Sequence, residues 1–96
     1  MPAMHYTVRW PDASESVCYS PSLVIRDFFD VGADYALDDF LRRVRAATTI
    51  ASDRVRAKYG FACSRAADQL DETEHRAAAF AGQAGAQVRL LAFHDA

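Results

Sequence analysis

The sequence predicts an α+β fold: a small antiparallel sheet, made of a β-hairpin and a C-terminal strand, with two long helices packed on one face. Three observations predict it. Apolar and polar residues alternate from Met4 to Trp10, an apolar stripe recurs at 3.6-residue spacing from Leu37 to Tyr59, and strand-like composition returns at Gln87 to His94. The expected order is β-β-(short helix)-α-α-β. At 96 residues the chain has room for one domain, residues 1–96, and 51% hydrophobic residues are enough to fold it.

Met4, Tyr6, Val8 and Trp10 share one side of the first strand, with His5, Thr7 and Arg9 on the other. Pro11-Asp12-Ala13-Ser14 is a turn, because proline presets its φ and aspartate can close an Asx-turn. Glu15 to Tyr19 returns as a strand, with Val17 and Tyr19 expected on the core face. Ser20 as N-cap and Pro21 at the first helical position predict a short helix from Pro21 to Phe29. The strand-like run Leu23-Val24-Ile25 keeps a third strand as the alternative, and Gly32 ends either element.

In the long helix, Leu37, Phe40, Leu41, Val44, Thr48, Ala51, Val55 and Tyr59 fall on one face. Asp38 and Asp39 suit the positive end of its dipole, and Gly60 is a natural stop. Ser64 opens a second helix to about Gly82, with Ala67, Leu70, Thr73, Ala77 and Phe80 as its core face. Gln87 to His94 is apolar on both sides, which suits an inner strand, and it is expected to pair with the first strand.

A net charge of −2 gives no reason to expect a nucleic-acid or membrane partner. Two isolated cysteines, Cys18 and Cys63, fit a reducing compartment. With neither a signal-peptide pattern nor an apolar run of about 20 residues, a cytoplasmic location is expected.

The long helix carries a second apolar stripe. Ala46, Ile50 and Ala57 lie opposite Phe40 and Val44, with Asp53 among them. A helix covering a sheet usually shows water a charged face. Either the second helix or another subunit therefore covers this stripe. Ala66, Ala78, Ala79 and Ala81 make the second helix small-faced too, and a homo-oligomer is expected.

Chemistry is sparse. Cys63, beside the start of the second helix and two residues from Arg65, is the best candidate for a reactive thiol, against a packing role. From Arg42 to Arg65 seven basic residues face Asp53 alone, and Arg54, Arg56 and Lys58 are candidates for binding an anion. The alternative for this cluster is a solvated helix border, neutralised by nearby carboxylates. His5, Cys18, Cys63, His75 and His94 match no metal-ligand spacing, and no catalytic or cofactor motif is present, so neither metal nor cofactor is expected.

The runs Met4-His5-Tyr6-Thr7-Val8-Arg9-Trp10-Pro11-Asp12, Cys18-Tyr19-Ser20-Pro21-Ser22 and Thr49 through Ser64 carry a family resemblance. Together they resemble the small bacterial nitrogen-starvation-response family encoded beside a nitrilase in conserved gene clusters. One departure is Ala13, where the resemblance leads us to expect glycine. The resemblance implies a role in nitrogen limitation, with enzymes of a nitrilase-linked cluster as possible partners, and implies no catalytic residues. The expected function is a non-enzymatic accessory or regulatory protein acting through protein contacts. The alternative is a small enzyme or anion-binding subunit using Cys63 with Arg54, Arg56 and Lys58.

Overall fold

The computed structural model describes residues 3–60 and 64–95. Its elements run β1 (Met4–Arg9), β2 (Glu15–Ser20), α1 (Ile25–Phe28), β3 (Asp34–Ala36), α2 (Leu37–Tyr59), α3 (Ser64–Ala78) and β4 (Gln87–Asp95). The strands form one antiparallel sheet in the order β2-β1-β4-β3. The α+β class, the two long helices and the pairing of the last strand with the first are as the sequence predicts.

The hairpin turn closes through the Ala13 N–H on the Trp10 carbonyl at 2.9 Å and the Trp10 N–H on the Ser14 carbonyl at 2.8 Å. The Asp12 Oδ1 accepts from the Ser14 N–H at 2.9 Å, which is the expected Asx-turn. Ala13 sits at φ 70°, a left-handed conformation that glycine adopts at less cost.

The turn sets the register, and the register corrects the expected face of β2. Tyr6 lies opposite Cys18 and Met4 opposite Ser20, and residues directly opposite share a face. The core side of β2 is therefore Cys18 and Ser20, while Val17 is 65% exposed and Tyr19 lies on the outer side.

The Ser20-Pro21-Ser22 signal makes a turn instead of starting a helix. The Ser20 hydroxyl donates to the Ser22 carbonyl at 2.7 Å, and the Ser22 hydroxyl accepts from the Val24 N–H at 3.3 Å. With those groups satisfied locally, α1 begins only at Ile25 and spans one turn. A fourth strand, β3, follows Gly32, whose N–H donates to the Leu90 carbonyl at 2.7 Å.

Helix α2 has the expected bounds. Gly60 ends it at φ 81°, donating its N–H to the Arg56 carbonyl at 2.8 Å. Phe40, Val44, Ala47, Ala51 and Val55 are buried. Tyr59, expected on the core face, is 50% exposed. Helix α3 ends at Ala78, earlier than predicted, and residues 79–86 wind through turns into β4. It buries Ala66, Thr73 and Ala77, leaving Ala67 outside.

The core is rich in aromatic contacts. Trp10 meets Phe40 edge-on at 5.6 Å and stacks on Phe80 at 6.0 Å, and Phe29 meets Tyr35 edge-on at 5.0 Å. Such contacts fix the side-chain geometry beyond what area burial alone provides. The Tyr35 hydroxyl accepts from the Asp30 N–H at 2.7 Å, so its polar end is satisfied. β4 is an inner strand, as expected, and a bulge near Thr7 and Val8 leaves Leu91 outside the ladder.

Candidate functional site

Cys63, the candidate nucleophile, lies outside the described residues. Cys18 is 1% exposed, and burial pushes its thiol up to about 12, so it stays protonated and packs as a small apolar side chain.

The second stripe of α2 is open in the single chain. Ala46, Asp53 and Ala57 are exposed, and Ile50 is 37% exposed. Helix α3 packs on a different side of α2, where Arg45 reaches Glu74 at 2.6 Å. It therefore does not cover the stripe.

The basic residues of the segment disperse. Arg42 and Arg43 both engage Asp39, whose carboxyl the Arg43 and Arg42 guanidinium groups hold below the usual range. Arg43 also donates to the Phe28 carbonyl at 2.6 Å and lies over the Tyr35 ring. Arg65 lies 4.0 Å above the Tyr19 ring. Arg54 donates to the Ser22 hydroxyl at 3.1 Å beside a hollow it shares with Arg26 and Asp27. Arg56, two positions on, points roughly 200° away around the helix. Lys58 sits over the Tyr59 ring at 5.5 Å. The three anion-binding candidates thus do not converge on one point.

His5 and His94 lie opposite each other on β1 and β4, and the Thr7 hydroxyl is 3.2 Å from the His94 Nε2. Among the described residues no three metal-ligating side chains gather. Among the described residues no helix is long and apolar enough to cross a membrane.

A feature that sequence reasoning missed lies between β2 and α3. β2 is an edge strand, and α3 runs beside it. The Gln69 Oε1 accepts from the Tyr19 N–H at 3.0 Å, and its Nε2 donates to the Thr73 hydroxyl at 3.1 Å. Gln69 thus occupies the place a further strand would take. Next to it is a cavity of about 180 Å³ walled by Trp10, Ser16, Val17, Glu72, His75 and Arg76. The Trp10 indole N–H donates to the Ser16 hydroxyl at 2.9 Å, and Arg76 donates to the Ser14 hydroxyl at 2.6 Å. Glu72 and Arg76 stand four apart on α3. With Ser16 and Cys18 assigned outward, nothing in the sequence pointed to a cavity there.

A wider hollow of about 450 Å³ opens at the start of α2, lined by Leu37, Leu41, Phe80 and Ala86 with Asp38 at its rim.

No match is found among curated proteins or among solved structures. Residues 5–93 match the family model described as nitrogen starvation-induced protein NitG, and with nearly the whole chain covered, the protein belongs to that family.

Proposed function

We propose that this protein is a non-enzymatic accessory or regulatory component of the nitrogen-limitation response. It works in the cytoplasm through protein contacts, first of all with a second copy of itself. The observation that supports this reading is the open stripe of Ala46, Ile50 and Ala57 on α2, which α3 leaves uncovered. Small side chains there let another helix approach closely, and isologous pairing is the commonest way to bury such a face. Enzymes of a nitrilase-linked cluster are the further partners that the family resemblance suggests.

Sedimentation equilibrium of the wild type and of Ile50→Asp tests it. The wild type should self-associate, and the variant should be monomeric with an unchanged circular dichroism spectrum. A wild type that stays monomeric at high concentration, with no companion recovered from nitrogen-starved cells, would sink the proposal.

The second reading is a small enzyme or anion-binding subunit using Cys63 and the cluster of Arg54, Arg56 and Lys58. What favours it is that Arg54 donates to a neutral hydroxyl and ion-pairs with no described carboxylate. Saturable binding of inorganic phosphate that is lost in Arg54→Gln would support this reading.

A further inference from the structure

Glu72 and Arg76 stand four residues apart on α3, with the acid nearer the N-terminus, the orientation in which such pairs close on a helix. This pair does not close. Arg76 gives its Nη2 to the Ser14 hydroxyl at 2.6 Å and lies 6.0 Å from the Trp10 ring centroid. Glu72 makes no hydrogen bond or ion pair among the described residues. The two opposite charges instead line the same cavity of about 180 Å³.

The edge of β2 adds two more polar groups. Antiparallel pairs alternate between hydrogen-bonded and non-hydrogen-bonded positions. Tyr19 turns its N–H away from β1 to reach Gln69, so Tyr19 and His5 form a non-hydrogen-bonded pair. Val17, two residues earlier and opposite Thr7, must do the same. Its N–H and C=O therefore leave the sheet on the side of α3, where Val17 lines the cavity.

The cavity thus offers a carboxylate, a guanidinium, a main-chain donor and a main-chain acceptor around the wall formed by Trp10. A simple anion would meet Glu72, and a simple cation would meet Arg76. A molecule carrying both charges on neighbouring atoms satisfies both walls at once. An extended peptide is excluded, because Gln69 already fills the next position along the edge.

We propose that the cavity between β2 and α3 binds a small α-amino acid as its zwitterion. The ligand carboxylate takes Arg76 and the Val17 N–H, and the ammonium takes Glu72 and the Val17 C=O.

Trp10 is the chain's one tryptophan, so its fluorescence reports on the cavity directly. The full chain is titrated with glycine, L-alanine, L-serine, L-asparagine and L-glutamine, and with acetate and methylammonium as half-ligands. Amide NMR is recorded in parallel. At least one amino acid should give a saturable response and shift the Val17 amide, while both half-ligands bind roughly tenfold or more weakly. Glu72→Gln should weaken binding by roughly tenfold or more, the loss of one charge-assisted hydrogen bond. Glu72 is exposed and makes no hydrogen bond or ion pair among the described residues, so this variant should keep the wild-type melting temperature. Arg76→Gln should weaken binding similarly. No saturable response to any of the amino acids, acetate binding as tightly as they do, or wild-type affinity in Glu72→Gln would each overturn the proposal.

Discussion

Replacing Ala13 with glycine should make this protein more stable, although the change deletes a methyl group and adds no contact. Ala13 is exposed, so its Cβ packs against nothing that would be lost. Its φ of 70° places that Cβ against its own backbone. The left-handed conformation costs an L-residue about 1–2 kcal/mol. Glycine removes that cost but gives the unfolded chain more freedom, worth about 0.4–1 kcal/mol. The balance is a gain of about 0.5–1 kcal/mol, or roughly 3–6 °C in melting temperature for a domain of this size. Thermal and urea denaturation, followed by Trp10 fluorescence, measure it, and the urea m-value should stay unchanged. A melting temperature that is unchanged or lower would refute the reasoning, because it would mean that the turn relaxes its left-handed residue at no cost.

The converse substitution at the end of α2, Gly60→Ala, puts a Cβ at φ 81° and should destabilise by about 1 kcal/mol in the same assay. Gln69→Ala removes the acceptor from the Tyr19 N–H, with an expected loss of about 1 kcal/mol and roughly tenfold faster exchange of that amide. Cys18 should react with a thiol reagent only after denaturation. Because burial raises its folded pKa to about 12, stability should be whole below about pH 8.5, where the unfolded thiol is still protonated, and should fall as pH rises toward 12. Asp34, bonded by Arg89, and Asp39, bonded by Arg43 and Arg42, have depressed folded pKa values. Their contributions should be present above about pH 4 and vanish as pH falls through those values; Asp34→Asn should flatten that acid limb.

What could be read from the sequence depended on how many large side chains fix the phase of each element. Helix α2 carries a long stripe of bulky residues and a terminal glycine, and its bounds are read correctly. Strand β2 offers Val17 and Tyr19 on one side and Ser16, Cys18 and Ser20 on the other. Hydrophobicity alone favours the wrong side, and only the register set by the turn decides. In α3 an alanine-rich sequence leaves little to distinguish the Ala66 face from the Ala67 face. β3 is too short, with Tyr35 as its one buried residue, to show any period. The candidate cavity inherits these errors. One of its walls is β2, whose core face is the reverse of the one expected, and its charges become visible only because Glu72 and Arg76 do not pair.

The two innermost strands of the sheet, β1 and β4, are its first and last, with Met4 beside Asp95. A nascent chain can form the hairpin and both long helices early. It cannot seal the middle of the sheet until β4 has left the ribosome. Until then β1 has a bare flank, and half-finished chains held close together are open to mispairing with one another.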